Sequence, residues 1–385
     1  MTNETMTSAE RVATALAFEK PDRVPVVPFL CKSTAANYCG VSRAQVERDL
    51  ELGLQCMLRT FDDVGGWDAL NLDMPDTALV NVLLWQQPLE WKVPGVDLSE
   101  DAVLQCHERE VMTVEDYDKV IEEGFAKFYY DDLIYRIYPL KPGSVADEIR
   151  KLEAFYRDRC VPEWESRGVA PYLSSVSWCN HPFFELCLAR SFTKFTEDLF
   201  YRPELVEKAL SRMADEWIGG HAAGAKETPE KCAYLVEERA SAFYYPLSVF
   251  ERFWWPLTVK FVNAMWSEGA VTVMHLDNDW SKNLPYWKRD LPRGSYMIQL
   301  DGTTDIFAAK DLLQGHAMFC GDLPASLQAL GSIEEVEGYC KRLIDEVGYE
   351  GGYFLTTGCD TAPDCKPENL RAMVQTGKTH EFSRR

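Results

Sequence analysis

Short apolar runs that alternate with segments of helical spacing limit most strongly the folds open to this chain. The runs are typical of buried strands rather than of strands with one solvent-facing side. Eight are predicted as strands: 24–30, 66–72, 169–178, 232–236, 270–276, 296–300, 317–319 and 352–356. Strands that alternate with helices favour a parallel sheet, and eight such units predict an α/β fold, a closed (β/α)8 TIM barrel. We expect a single barrel domain over residues 1–385.

Helix signals agree with this pattern at both ends of the chain. A helix is predicted over Ser8–Phe18, before the first strand. Ser332 and Glu335 form a capping-box pattern at the start of a later amphipathic segment. A last helix is expected from about Pro367, where an early proline loses no needed hydrogen bond.

The interval between the second and third predicted strands is much longer than one helix requires. We interpret residues 86–168 as a largely helical insertion in the barrel. Because it follows a strand end, it is expected over the barrel mouth, where insertions serve as lids or docking surfaces. The alternative is a helical layer that only adds stability.

Composition excludes some classes of partner. The formal net charge is −21, from 61 acidic and 40 basic residues, which argues against nucleic acid and anionic membranes because both need a basic surface. We find neither a signal segment nor a stretch of transmembrane length, so a cytoplasmic protein is expected. Most of the 12 cysteines are interpreted as reduced, buried thiols.

Four side chains that bind metals stand at predicted strand ends: His275, Asp277, Cys320 and Cys359. Alternation along a strand places His275 and Asp277 on the same side. Zinc binds such nitrogen, oxygen and sulfur donors, and catalytic zinc keeps one position open. We therefore predict a metal site at the barrel mouth. The alternatives are a core histidine, a turn-forming aspartate and buried thiols.

Further candidates follow other predicted strands. Asp301 follows one of these strands, and we interpret it either as a further metal ligand or as the cap of the next helix. Glu238 is a catalytic acid or the partner of Arg239. His181 is a candidate for substrate contact, and so is Tyr244, which belongs to an aromatic series typical either of core packing or of a flat apolar pocket. That series is Phe243, Tyr244, Tyr245, Phe250, Phe253, Trp254 and Trp255.

Several of these segments together form a family pattern. They are Glu10-Arg11, Lys20-Pro21-Asp22-Arg23-Val24-Pro25-Val26, Val273-Met274-His275-Leu276-Asp277, Cys320-Gly321-Asp322-Leu323-Pro324, and Gly351 through Cys359-Asp360 to Pro367-Glu368-Asn369. The sequence resembles the uroporphyrinogen decarboxylase superfamily, which also contains cobamide-dependent methyltransferases. The resemblance implies a (β/α)8 barrel with its site at the C-terminal strand ends.

Two departures from the family patterns bear on activity. The decarboxylases carry an arginine-rich segment after the first strand that holds tetrapyrrole carboxylates, whereas residues 28–38 here contain one lysine and no arginine. The methyltransferase branch holds zinc with a His-x-Cys pair and a distant Cys. His275 and Cys359 match two of these positions, but Asp277 occupies the third. Asp277, Cys320 or Asp301 would complete the set.

The resemblance and the Asp277 departure lead to one functional hypothesis. A carboxylate in place of a thiolate leaves zinc a stronger Lewis acid, which suits polarisation of an ether oxygen. We expect an O-demethylase component that moves a methyl group from a small methoxylated aromatic donor to the Co(I) of a partner corrinoid protein, with Glu238 as acid. The alternatives are a methylcobamide:thiol methyltransferase and a decarboxylase-like tetrapyrrole-binding protein. A homodimer is one assembly that the sequence allows.

Overall fold

The structure is a computed structural model that describes residues 4–71, 74–173, 178–227 and 231–382. Helices occupy much of the chain between the strands. In chain order they are α1 (Ser8–Leu16), α2 (Lys32–Cys39), α3 (Arg43–Arg48), α4 (Leu50–Val64), α5 (Ala78–Leu83), α6 (Asp116–Glu123), α7 (Phe125–Phe128), α8 (Ile134–Ile137), α9 (Val145–Phe155), α10 (Val161–Ser166), α11 (Pro182–Arg190), α12 (Phe192–Tyr201), α13 (Pro203–Glu227), α14 (Leu247–Val249), α15 (Trp255–Ser267), α16 (Pro285–Asp290), α17 (Ile306–Leu313), α18 (Ala325–Leu330), α19 (Ile333–Glu346) and α20 (Pro367–Thr379).

The strands form one main parallel sheet and two smaller pairs. In chain order they are β1 (Ala69–Asn71), β2 (Glu90–Lys92), β3 (Gln105–His107), β4 (Ala170–Leu173), β5 (Trp178–Asn180), β6 (Cys232–Glu237), β7 (Val271–Leu276), β8 (Tyr296–Leu300), β9 (Met318–Leu323) and β10 (Tyr353–Thr357). The six-stranded sheet has the order β10-β9-β8-β7-β6-β5, and β1 pairs with β4 in parallel. Parallel strands joined by helices are the predicted α/β arrangement.

Hydrogen bonds connect the first predicted strand to both neighbours that a barrel order requires. The amide of Val27 donates to Leu355 on β10, at 2.9 Å, and Val26 forms an isolated parallel bridge with Leu355. On the other side, the amide of Asp68 donates to the carbonyl of Val26 at 2.8 Å, and that of Ala170 donates to the carbonyl of Asp68 at 2.8 Å. The segment from Val24 to Val27 therefore lies between β10 and the start of β1.

Four of the eight predicted strands, at 232–236, 270–276, 296–300 and 352–356, agree with β6, β7, β8 and β10 to within one residue. The strand predicted at 169–178 is divided between β4 and β5, which belong to different sheets. The strands predicted at 24–30 and 317–319 differ informatively. Residues 24–30 form only the bridge at Val26, because Pro25 and Pro28 have no amide proton to donate to a ladder. The strand predicted at 317–319 is β9, which continues to Leu323. In two other predicted strands, residues 72 and 174–177 lie outside the described residues.

The predicted helix signals are present. Helix α1 begins at Ser8, and α20 begins at Pro367. The side chain of Ser332 accepts from the amide of Glu335, and Glu335 accepts from the amide of Ser332, which is the predicted capping box of α19.

Residues 86–168 hold helices α6 to α10 and one antiparallel hairpin. The hairpin pairs β2 with β3 and was not expected from a largely helical segment. Side chains of this segment also pack into the main hydrophobic core, among them Tyr129 and Trp164. The ring of Trp164 packs edge-on against that of Phe61 on α4, with ring centroids 5.4 Å apart.

A buried ion network joins α1 to the first strand segment and to β1. Arg11 pairs with Asp22 at 2.7 Å and with Asp68 at 2.6 Å. Arg23 pairs with Asp68 at 2.6 Å, and Asp68 also accepts from the amide of Val26 at 2.8 Å. The Arg11, Arg23 and Asp68 side chains are each at most 3% exposed. Buried charges are tolerated when, as here, they are paired and hydrogen-bonded.

Helix α13 is 25 residues long, which is the length that a membrane-spanning helix would have. Its sequence carries acidic and basic residues throughout, among them Glu207, Arg212 and Glu216. Across the described part of the chain, every helix is either too short or too polar to cross a bilayer.

Candidate metal centre

Three of the predicted ligands meet at the C-terminal end of the main sheet. The Nε2 atom of His275 lies 3.2 Å from Asp277 Oδ1 and 3.4 Å from Cys359 Sγ. The donor atoms of the three residues all lie within 4.8 Å of one another. Nitrogen, oxygen and sulfur donors at this spacing could hold a metal ion, and they are the donor types that zinc binds in proteins.

Strand β7 and the turn after it place the first two donors. His275 alternates with Val273 along β7 and is 4% exposed. After Asp277, Asn278 adopts a left-handed conformation with φ of 74°. Its amide donates to Asp301 at 2.9 Å, and its side chain donates to the carbonyl of Glu238 at 3.1 Å. This turn fixes the Asp277 loop against the loops after β6 and β8.

A glycine permits the close approach that places the third donor. A Cβ atom added at Gly358 would lie 2.7 Å from the carbonyl oxygen of Asp301. That distance is too short for any side chain, so the chain after β10 can pass the end of β8 only with glycine at this position. Cys359 follows directly and faces His275.

The electrostatics of the cluster favour a bound cation. Burial and the neighbouring Asp277 raise the pKa of the Cys359 thiol to about 12. Burial alone would lower the pKa of His275, but Asp277 and Cys359 raise it well above its usual value. His275 Nδ1 is buried without a hydrogen-bond partner among the described residues, and the buried Asp277 Oδ1 meets the His275 imidazole at 3.2 Å. A divalent cation would stabilise the Asp277 carboxyl group and the Cys359 thiol as anions. The residues present therefore fit a metal ion.

The cluster forms one wall of a cavity of about 210 Å³. The other walls come from the loop after the first strand segment, from the region around α5, and from residues 86–168. The lining residues are Phe29, Leu30, Cys31, Lys32, Ser33, Met74, Asp76, Asn81, Trp85, Gln87, Trp91, Val103, Leu104, Val236, Glu238, His275, Asp277, Cys359 and Asp360. The predicted ligands therefore face a cavity in which several polar groups converge.

Glu238 lies in this cavity, as the sequence predicted for a mouth residue. Burial and the Asp277 carboxylate raise the pKa of Glu238 to about 7. A carboxyl group with such a pKa can donate a proton near neutral pH. Arg239 pairs with Glu108 at 2.9 Å and donates its amide to Glu237, so the arginine is engaged by other carboxylates.

Cys320 and Asp301 lie outside this three-residue group. The prediction that Cys320 ends its strand is wrong, because β9 continues for three further residues to Leu323. Cys320 is 2% exposed and packs with interior residues such as Met297 and Phe354. Asp301 instead accepts hydrogen bonds from the amides of Asn278 and Thr303, so it organises the turns. Neither belongs to the metal-ligand group found among the described residues.

His181 and Tyr244 do not line the cavity. His181 is fully buried and caps α11, where its Nδ1 accepts from the amide of Phe183 at 3.0 Å. Burial lowers its pKa well below the usual value. Tyr244 is 40% exposed on the loop after β6 and contacts the ring of Phe192. The structure therefore gives His181 a structural role and leaves Tyr244 away from the predicted ligands.

The aromatic series splits between the surface and the core. Phe243 is 61% exposed. Phe250, Trp254 and Trp255 instead stack on one another, with ring centroids 5.3 to 6.0 Å apart. The aromatic side chains that line the cavity are Phe29, Trp85 and Trp91, which were not singled out in the sequence.

With this geometry established, comparison with known proteins identifies the family. The family model described as "Uroporphyrinogen decarboxylase (URO-D)" matches residues 181–380, which is just over half of the chain and includes all three clustered donors. The chain belongs to the uroporphyrinogen decarboxylase family. The family resemblance noted in the sequence is thereby confirmed.

Individual relatives of this URO-D family member add fold information. The chain is 32% identical to the uroporphyrinogen decarboxylase of Methylococcus capsulatus over 87 residues, and this match spans about a quarter of that curated relative. It is also similar in structure to a methyltransferase from Methanosarcina mazei. That similarity has a TM-score of 0.68 and 16% identity, and it covers 97% of this chain and 98% of the other. At 16% identity, this structural similarity shows a shared fold alone.

Two acidic residues of this URO-D family member were not predicted to reach the site. Asp76 and Asp360 both line the cavity. The Asp360 side chain is accessible from the cavity, and the surrounding protein removes much of its hydration. This burial, together with nearby carboxyl groups, of which Asp76 has the largest effect, raises the pKa of Asp360 to about 7. Its position directly after Cys359 was the available signal. Cys31 also lines the cavity, where its sulfur accepts from the amide of Ser33 as the cap of α2.

Proposed function

We propose that this protein is a zinc-dependent methyltransferase of the uroporphyrinogen decarboxylase family, built on a closed (β/α)8 barrel. It would move a methyl group from a small methoxylated aromatic donor to the Co(I) of a corrinoid protein. The observation that carries the proposal is the cluster of His275, Asp277 and Cys359 at one wall of the cavity. Residues 86–168 would act as a lid, since Trp91, Val103 and Leu104 line the same cavity.

The donor set favours ether cleavage over thiol activation. His275, Asp277 and Cys359 would hold Zn²⁺, which when bound supplies Lewis acidity toward an ether oxygen. With one thiolate rather than two, the ligand set donates less electron density, which leaves the metal a stronger Lewis acid. Phe29, Trp85 and Trp91 supply the flat apolar surface that an aryl methyl ether needs.

The proposed reaction balances with one proton. Co(I) attacks the methyl carbon, the carbon–oxygen bond breaks, and a cobalt–carbon bond forms. The bonding electron pair leaves with the oxygen, while cobalt is formally oxidised to methyl-Co(III). Glu238 would donate the proton that converts the departing oxygen to a hydroxyl group, which its pKa of about 7 allows.

The cavity argues against a tetrapyrrole polycarboxylate as substrate. The described lining residues include no arginine, and the one lysine, Lys32, pairs with the buried Glu47 at 2.6 Å. Asp76, Glu238, Asp277 and Asp360 add four carboxyl groups. A ligand with several carboxylates would find none of the bidentate guanidinium partners that it needs among these lining residues.

A methylation assay with a reduced corrinoid protein tests the proposal. The zinc-loaded protein is mixed with the Co(I) form and with methoxylated aromatics, and the corrinoid spectrum is followed. We expect ether-dependent conversion to the methyl-Co(III) spectrum. Thiol-dependent demethylation of a methylcorrinoid protein would favour the thiol methyltransferase instead, and decarboxylation of a tetrapyrrole would contradict both.

A further inference from the structure

The charges around the cavity bear on which donors it accepts, an inference that rests on the proposed function. Beyond the metal-binding group, the carboxyl groups of Asp76, Glu238 and Asp360 line the walls. They come from three separate parts of the chain: the loop before α5, the residue after β6 and the residue after Cys359. The acidic character is therefore a property of the whole cavity rather than of one loop.

No free positive charge offsets these groups within the described lining. The Lys32 side chain is 4% exposed, and its ammonium group lies 2.6 Å from Glu47 Oε2. Glu47 is 5% exposed and also accepts from the amide of Ala78 at 2.6 Å. Because lysine and glutamate form a fixed buried pair, Lys32 is not available to an incoming anion. His275 turns its Nε2 toward Asp277 and Cys359.

Asp360 is the carboxyl group best placed to contact a donor. It follows a metal ligand directly in the chain, lines the cavity, and is accessible from it. Its carboxyl group makes no hydrogen bond to another side chain in the described ranges, whereas Asp22 and Asp68 in the buried ion network are fully engaged. An acceptor in this position suits a hydroxyl or ammonium substituent, and the described lining, with no arginine and with Lys32 paired to Glu47, gives a carboxylate no cationic partner.

We propose that Asp360 selects the methyl donor by charge: it binds uncharged or cationic aryl methyl ethers through a hydroxyl or ammonium substituent and excludes methoxybenzoates. Asp76, whose carboxyl group is close enough to influence that of Asp360, adds to the same selection. The substrate class is thereby narrowed from methoxylated aromatics in general to those without a negative charge.

Three ligands with the same ring and the same para methoxy group test this selection. They are 4-methoxybenzylamine, 4-methoxybenzyl alcohol and 4-methoxybenzoate, titrated calorimetrically into the zinc-loaded protein without any corrinoid protein. We expect the amine and the alcohol to bind at least about tenfold more tightly than the benzoate. In Asp360→Asn, the amine should lose about tenfold in affinity and the benzoate should gain several-fold.

Asp364→Asn is the matched control. Asp364 is 80% exposed, pairs with Arg43 at 2.8 Å and lies away from the cavity, so its neutralisation should leave all three affinities unchanged. Tightest binding of the benzoate, equal affinities, or no measurable binding of the three ligands would each overturn the selection by Asp360. Charge preference without methyl transfer in the corrinoid assay would contradict the proposed function alone.

Discussion

At the scale of single residues, the structure separates two cysteines that the sequence treated alike. Cys359 faces His275 across 3.4 Å, whereas Cys320 lies within β9 among apolar side chains. Cys320 is buried and Cys359 is half-buried beside the cavity, so the two thiols differ in both burial and neighbours. They form a matched pair for testing the ligand set.

Cys359→Ala should abolish stoichiometric zinc binding, and Cys320→Ala should retain it. The first change removes one of three donors, while the second removes a thiol outside the donor group. Metal content measured after gel filtration, together with circular dichroism for the fold, distinguishes the two. Full zinc in Cys359→Ala with an intact fold would contradict the ligand set.

The residues found from the sequence were those with a strong local signal. His275 and Asp277 share one side of a strand, and Cys359 follows a glycine, which are patterns that a single sequence can reveal. Asp76 carried no such signal, because acidic residues are common in a chain with 61 of them. The signal for Asp360 was only its position after Cys359. Their role depends on which loops meet, and only the fold specifies that.

At the scale of elements, the contact between the ends of β8 and β10 controls the position of Cys359. The backbone of Asp301 fills the space where a side chain at residue 358 would lie. The same aspartate orders the turn after Asp277 through the amide of Asn278. A change at Gly358 should therefore disturb both loops that carry donors.

Gly358→Ala should weaken zinc affinity by about 10-fold or more, the size seen when supporting groups around a metal are lost. The added methyl group forces the Asp301 and Cys359 loops apart. Competition with a chromophoric chelator measures the affinity. Gly338→Ala on the exposed face of α19, where an added Cβ meets nothing within 4 Å, is the control. It should leave zinc affinity unchanged.

The elements most predictable from the sequence were those of the second half of the chain. The predicted bounds of β6, β7, β8 and β10 agree with the structure to within one residue. These strands are buried and are followed by turn residues. The hydrophobic pattern and the turn residues therefore predict the same strand ends. The β2–β3 hairpin was missed because its strands are three residues long, too short to show alternation.

At the scale of the whole molecule, the ion network around Asp68 joins the N-terminal helix to the sheet. Asp68→Ala should reduce the free energy of unfolding by about 3–5 kcal/mol, because it leaves Arg11 and Arg23 buried without their shared partner. Chemical denaturation measures this change. Asp364→Ala removes an exposed ion pair and should cost at most about 1 kcal/mol. Equal losses in both variants would contradict the assigned role of the network.

Asp22 should make the fold sensitive to acid. Burial would raise its pKa, but hydrogen bonds from Arg11 and from the amides of Thr5 and Met6 lower it far below the usual value. The carboxylate therefore contributes stability above its unfolded pKa of about 4, and this is lost as the pH falls toward the folded value. When the pH is lowered from about 5 to about 3, we expect the free energy of unfolding to decrease less in Asp22→Asn than in the wild type. An unchanged decrease would contradict this contribution.

The spacing of the donors has a consequence for folding. His275 lies on β7 and Cys359 follows β10, 84 residues later in sequence, and β8 and β9 lie between these two strands. An ion held by both would act as a cross-link that only the completed sheet can form, so its binding energy would add to the stability of the native state. At a free metal concentration of about 100 times the dissociation constant, this linkage amounts to about 2.7 kcal/mol. Chelation should therefore lower the melting temperature of the wild type but not of Cys359→Ala, which makes metal occupancy a reporter of the finished fold.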